Sequence, residues 1–368
     1  MKLLHLANGN LYGGIERFLV TLARLEQAEP SKKFVSSFIL SHEGRLATEL
    51  REGGARVTVL PGVRVRNPWA IRRARAVVRA ELDRERPDLV LAHGPWAYFV
   101  FGHALTSPQP PLVFWQHGPA SRDVFHWLAG WRRPAAVLAN SAYTAQSAGA
   151  IFPEIHPRVL RLLVAEMKQT RPRESIREEL GAEGQVVIVQ TSRFEPWKGH
   201  QLLLDALLRL KALRWQLWLA GGQTRPSEKR LRTALETQAR EAGVLDRLRF
   251  LGERRDIADV LSAADIFCQP NVGQEPYGLG VLEAMACGLP LVVTEPGATA
   301  IGPSGPWGEA VPPSADTLSS YLSKLIGDRA LRERLAKGSR AYHCRELASV
   351  EVLAEMHREF EAIASRGS

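Results

Sequence analysis

The sequence predicts an α/β protein made of two doubly wound, Rossmann-like domains facing a cleft. Three observations lead there. Short apolar runs alternate with amphipathic stretches, the alternation is repeated in the second half, and 368 residues is long for one domain. Such alternation implies parallel strands joined by crossover helices.

In the first half, KLLHLA, FVSSFIL, VTVL, DLVLAH, LVFWQH and AVLAN read as strands. Between them GIERFLVTLARLEQ, RLATELREG, NPWAIRRARAVVRAELDRER and SRDVFHWLAGW have helical spacing. The second half runs strand QVVIVQTS, helix GHQLLLDALLRLKAL, strand WQLWLAGG, helix SEKRLRTALETQAREAG and strand RLRFLG. Then come the short helix IADVLSAA, strand DIFCQP, helix GLGVLEAMACG, and strands PLVV and EAVP. Two helices over about 315–344 and one over about 349–364 close the chain. The polar, proline-bearing stretch 164–184 marks the boundary. It separates a domain over 1–165 from one over 166–344, with a closing helix within about 345–368. In doubly wound sheets ligands bind beyond the carboxyl ends of the strands, so chemistry belongs in the loops that follow them.

Composition narrows the class. The chain is 45% hydrophobic and 24% charged, ordinary for a soluble globular protein. Three cysteines without a CxxC pair argue against a disulfide framework and fit a reducing compartment. MKLLHLANGN is too short an apolar stretch for a signal-peptide core, and no stretch reaches a membrane span, so a cytoplasmic location is expected. Net charge is +9, and residues 1–165, with 21 Lys+Arg against 12 Asp+Glu, carry all of it. That asymmetry predicts an anionic partner for the first domain. Its densest part is Arg64, Arg66, Arg72, Arg73, Arg75, Arg79, Arg84 and Arg86. This stretch reads either as a binding face or, with Glu81, Asp83 and Glu85 interleaved, as a solvated helix. No Walker loop, HExxH, GxSxG, DxD pair or nucleic-acid module occurs.

Four loop constellations remain. Glu275 follows the strand DIFCQP, and Pro276, Tyr277, Gly278, Leu279, Gly280 and Val281 lead into the next helix. Glycines there admit close backbone approach, and first-turn N–H groups with the helix dipole favour a phosphate. Glu283 lies within that apolar helix with no basic residue three or four positions away. Its partner is then a ligand hydroxyl, a distant arginine or backbone. Glu275 alone reads as an ordinary exposed loop acid. Arg193 and Lys198 flank the Glu-Pro-Trp turn after QVVIVQTS. They are either a diphosphate clamp or solvated cations, and as polar loop residues their truncation should cost little stability. Gly13-Gly14 opens the first helix as a ligand approach or a plain turn. His117 ends LVFWQH as a structural group, a hydrogen-bonding group or a base.

Together these residues resemble those of retaining glycosyltransferases of family 4, which have the GT-B fold. The likeness spans essentially the whole chain and is strongest over 186–311. The family's E-x7-E signature stands as Glu275 to Glu283, its Arg/Lys clamp as Arg193 and Lys198, its glycine loop as Gly13-Gly14, and its mid-chain histidine as His117. The resemblance implies a UDP- or GDP-sugar bound mainly to the second domain, with an acceptor on the first. It also implies a C-terminal helix that crosses back to the first domain. Transfer would retain configuration, without a metal or other cofactor. Arg193, Lys198 and the 278–281 amides would steady the departing diphosphate. Glu275 would hold the sugar hydroxyls, Glu283 the ribose, and His117 would face the sugar. An anionic lipid-linked or carbohydrate acceptor, as in envelope glycolipid or polysaccharide synthesis, would suit the charge split, with peripheral contact at the inner membrane surface. Departures are the missing Pro-x-Gly-Val-Asp after Arg158, and Tyr277 and Gly280 where Phe and Val are frequent. The alternatives are an epimerase or hydrolase on the same architecture, or a non-catalytic nucleotide-sugar-binding protein.

Overall fold

The computed structural model describes residues 1–10, 12–60, 63, 67–105, 110–120 and 123–366. It divides into two compact units, Met1–Ala165 with Ser349–Ser368, and Glu166–Ala348.

The first unit carries seven parallel strands: β1 (Lys2–Ala7), β2 (Val35–Leu40), β3 (Arg56–Val59), β4 (Leu89–His93), β5 (Leu112–Gln116), β6 (Ala136–Ala139) and β7 (Arg158–Val159). Their order is β3-β2-β1-β4-β5-β6-β7, so the winding reverses between β1 and β4. Six helices cross over: α1 (Gly14–Ala28), α2 (Arg45–Glu52), α3 (Pro68–Glu85), α4 (Gly94–Val100), α5 (Val124–Ala129) and α6 (Ala142–Gly149). Strands β4, β5 and β6 are buried at every residue, as sheets covered on both faces must be. The alternation does not reveal α4, whose seven residues are nearly all apolar, nor α6, a run of small and polar residues without an apolar stripe, nor the two-residue edge strand β7.

The second unit repeats the plan. Its strands are β8 (Val186–Thr191), β9 (Trp215–Ala220), β10 (Leu248–Gly252), β11 (Ile266–Gln269), β12 (Leu291–Thr294), β13 (Ser304–Gly305) and β14 (Gly308–Val311). The order is β10-β9-β8-β11-β12-β14-β13, with only β13 antiparallel to its neighbour. The reversal between β8 and β11 matches that between β1 and β4. The helices are α7 (Arg173–Glu179), α8 (His200–Leu208), α9 (Pro226–Glu241), α10 (Ile257–Ala263), α11 (Leu279–Ala286), α12 (Ala315–Gly327) and α13 (Arg329–Glu346). Helix α14 (Ser349–Arg366) then rejoins the first unit. It buries Met356, Phe360 and Ile363, stacks His357 on Phe34, and sets Phe360 edge-on to Trp115.

The arginine-rich stretch is less uniform than the sequence suggests. Arg64 and Arg66 lie outside the described residues. On α3, Arg72 and Arg73 are exposed. Arg75 instead turns inward, donating to the carbonyls of Val100 and Phe99 at 3.0 Å each, and Arg79 donates to that of Ala104 at 3.1 Å. The Arg75 bonds satisfy carbonyls that the end of α4 leaves open, and the Arg79 bond satisfies one at the end of the 102–104 turn that follows, so Arg75 and Arg79 serve the fold.

Candidate functional site

In the second unit the predicted residues gather at the carboxyl ends of β8 and β11, the place where doubly wound sheets bind ligands. Glu275 is 6% exposed, not an exposed loop acid. Its Oε2 accepts from Lys198 Nζ at 2.5 Å, Asn271 Nδ2 at 2.9 Å and Gln269 Nε2 at 3.1 Å. The backbone on either side is fixed too. The Glu275 amide donates to Pro296 O at 2.8 Å, and the Thr299 hydroxyl to Glu275 O at 2.5 Å. All three side-chain donors converge on one carboxylate oxygen, which fixes the orientation of the other.

The reading of Arg193 and Lys198 as solvated cations of little structural weight does not survive. Lys198 is tied to Glu275 and lies 4.0 Å from the centre of the Trp197 ring. Arg193 donates to Glu228, a carboxylate only 1% exposed. Glu228 also accepts from the Arg225 amide at 2.9 Å. Burial pushes the Glu228 carboxyl up, but the Arg225 amide and the Arg193 guanidinium more than offset this and leave it below the ordinary glutamate range. Removing either cation therefore leaves a buried carboxylate without its counter-charge.

Helix α11 starts at Gly278, whose φ of +103° only glycine adopts without strain. Tyr277, Leu279 and Val281 are buried beside it, and Glu283 is 2% exposed inside the helix. At Gly280 a Cβ would come 2.8 Å from Thr191 Oγ1, so α11 packs directly on the end of β8.

In the first unit Gly13 is extended, with φ −155°, and its amide donates to Glu16 Oε2 at 3.0 Å as the N-cap of α1. Gly14 opens the helix. His117, at the end of β5, is 6% exposed, and its carbonyl accepts from Asn140 Nδ2 at 3.1 Å. Its Nε2 lies 2.8 Å from His93 Nδ1 at the end of β4, and His93 Nε2 lies 2.9 Å from His5 Nδ1 in β1. Burial drives all three imidazoles far toward the neutral form, His5 and His117 to about 3.

Sequence reasoning missed Gln269, Asn271, Glu228, His5 and His93. A signal existed for His93. His-Gly-Pro stands both at 93–95 and at 117–119, each time closing a strand. Gln269 and Asn271 were visible as polar residues ending an apolar strand, whereas Glu228 looks like any first-turn helix acid. Among the described residues no group of three His, Cys, Asp or Glu is placed to hold a metal ion.

Two family models match, Glycosyltransferase Family 4 over residues 12–160 and Glycosyl transferases group 1 over 172–342. Together they leave only the termini and 161–171 unmatched. Phosphatidyl-myo-inositol mannosyltransferase of Mycobacterium leprae is 32% identical over 192 residues, 50% of this chain and 48% of the relative. Lipopolysaccharide core biosynthesis mannosyltransferase LpsB of Rhizobium meliloti is 38% identical over 103 residues, 27% of this chain and 29% of the relative. The chain thus spans about half or less of these relatives. Among solved structures, Anabaena HepE in complex with UDP and glucose superposes with a TM-score of 0.84 at 23% identity. That match covers 98% of this chain and 100% of HepE, a likeness in fold.

Proposed function

Since the chain belongs to the family 4 glycosyltransferases of GT-B fold, we propose that it is a hexosyltransferase-type enzyme. In this reading it moves a sugar from a nucleotide-diphospho-sugar to an acceptor hydroxyl. The observation that carries it is Glu275, a buried carboxylate held at one oxygen by Lys198, Asn271 and Gln269. Such a group is pre-oriented to accept hydrogen bonds from sugar hydroxyls with Oε1.

Transfer retains configuration. The acceptor oxygen attacks the anomeric carbon on the face from which the diphosphate departs. The glycosidic C–O bond breaks, and a leaving phosphate oxygen takes the acceptor proton. Charge grows on the diphosphate, and Lys198, Arg193 and the amides of residues 278–281 stabilise it. The cations act from within ion pairs, so they contribute oriented N–H donors more than free positive charge. Glu283 would hold the ribose, and His117 the transferred sugar. In this reading no metal is required, which the missing DxD pair and the cations Arg193 and Lys198 support.

HepE is described with UDP, which favours a uridine nucleotide as the first donor to try. The names of the relatives, one for phosphatidyl-myo-inositol and one for lipopolysaccharide core biosynthesis, join the basic excess in supporting an anionic lipid-linked or carbohydrate acceptor. No helix among the described residues is long and apolar enough to cross a membrane. A lipid-linked acceptor would be met at a membrane surface.

A thermal-shift panel of nucleoside diphosphates tests the donor site. At 100 times its Kd a ligand adds about 2.7 kcal/mol of stability. UDP or GDP should raise Tm. A panel in which neither does so at millimolar concentration rejects the donor reading. Incubation with a nucleotide sugar and no acceptor separates slow hydrolysis from epimerisation.

A further inference from the structure

Four buried side chains of the first unit form one hydrogen-bonded file. Ser36 Oγ lies 3.0 Å from His5 Nε2, His5 Nδ1 lies 2.9 Å from His93 Nε2, and His93 Nδ1 lies 2.8 Å from His117 Nε2. All four residues are more than nine-tenths buried. Phe38 stacks on His5, and Trp115 stacks on both His93 and His117, so the walls of the file are apolar. The file ends at His117 Nδ1, which is buried and has no hydrogen-bond partner among the described residues.

A neutral imidazole has one N–H and one lone pair. Each contact between rings needs one of each, so the tautomer of one ring dictates those of the others. Only two arrangements satisfy every contact. In the first, the Ser36 hydroxyl donates to His5 Nε2, His5 Nδ1–H to His93 Nε2, and His93 Nδ1–H to His117 Nε2. His117 then carries its proton on Nδ1. In the second every bond is reversed, His5 Nε2–H donates to Ser36 Oγ, and His117 Nδ1 is bare.

Ser36 decides between them. Its hydroxyl has one hydrogen bond among the described residues, the one to His5. The reversed arrangement leaves the Ser36 O–H without an acceptor as well as His117 Nδ1 without a donor. The forward arrangement leaves only His117 Nδ1–H unpaired. Stranding a buried polar group costs more than an average hydrogen bond contributes, so the forward arrangement prevails.

We propose that Ser36, His5 and His93 are positioning residues that hold His117 as the neutral Nδ1–H tautomer, which meets the donor sugar as a hydrogen-bond donor and not as a base. The inference rests on the reading that His117 faces the transferred sugar. With Nε2 engaged by His93 and a proton on Nδ1, the ring has no lone pair for the acceptor's proton. The leaving phosphate is then the base, as the retaining route requires.

The proton position can be read directly. Long-range 1H–15N spectra of the ligand-free, histidine-labelled protein should show His117 protonated on Nδ1, with the resonance assigned by its loss in His117→Gln. Protonation on Nε2 overturns the proposal. Ser36→Ala removes the group that breaks the tie, three rings away. It should yield both His117 tautomers in comparable amounts and lower kcat/KM. An unchanged single tautomer contradicts the file. His93→Phe keeps a stacking ring but cuts the file, and should lower kcat/KM by about tenfold, the loss of roughly one hydrogen bond. Should His93→Phe fail to fold, the wild-type and Ser36→Ala spectra still decide. Adding UDP-glucose or GDP-mannose should move the Nδ1–H resonance. If the tautomer is as expected but neither nucleotide sugar moves it, the placement of His117 at the sugar is overturned while the file stands.

Discussion

Lys198 shows what separates a residue from its context. Its type and its position after a strand were legible in the sequence. Its pairing with Glu275, 77 positions away, was not, because only the adjacency of β8 and β11 creates it. Lys198→Met should therefore lower both stability and turnover. Glu275 would keep two neutral donors and lose its counter-charge, at about 1–3 kcal/mol. Turnover should fall on the order of a hundredfold. Adding Glu275→Gln should recover stability and not activity, as chemical denaturation and initial rates on the double variant would show. Arg193 makes a second case. The Glu228 carboxyl is depressed in the folded state, so its contribution to stability is present above the unfolded glutamate pKa, about 4.3. It is lost as pH falls through the lower folded value. Arg193→Ala should reduce stability at pH 7 and flatten the acid limb below pH ~4.3. Denaturation midpoints between pH 3 and 7 test this. An acid limb identical to wild type contradicts the pairing.

Helices were legible where they show an apolar stripe, whatever their length. Helices α1, α3, α9 and α12 each run 13 residues or more and display their apolar stripe. Helix α4, GPWAYFV, is seven residues and nearly all apolar, so it resembles a strand or a loop as much as a helix. The turn between β8 and α8 depends on Gly199, at φ +73°, where a Cβ would come 1.6 Å from Pro270 O just beyond β11. Gly199→Ala should therefore force that loop apart and displace Lys198. Strain of this kind costs about 1–3 kcal/mol before the overlap is counted, and a Tm within a degree of wild type would contradict it. On α3 the two kinds of arginine should behave differently. Arg75→Gln should lower Tm, since it frees the carbonyls that end α4. Arg72→Gln with Arg73→Gln should leave Tm alone. If α3 faces an anionic acceptor, that pair should weaken the fall of rate with salt at low acceptor concentration, because exposed charges are screened beyond ~10 Å at 0.1 M. A salt profile like that of wild type makes α3 a solvated helix.

Over the whole molecule the repeated strand order was the most legible feature, since alternation with crossover helices leaves few topologies open. Charge was read less fully. Helix α14 brings Glu355, Glu359 and Glu361 to Arg161, Arg158 and Lys33, so the basic excess of residues 1–165 is partly neutralised within its own unit. The central claim is that this molecule transfers a sugar with retention and without a metal. It is tested most directly by incubating the protein with an α-linked nucleotide sugar and a lipid-linked or carbohydrate acceptor in excess chelator. The anomeric configuration of the product is then read by NMR. The account predicts an α-linked product and a rate within a few-fold of that without chelator. A β-linked product would contradict it. So would loss of more than ~90% of turnover restored by magnesium or manganese, since an essential metal contributes several kcal/mol.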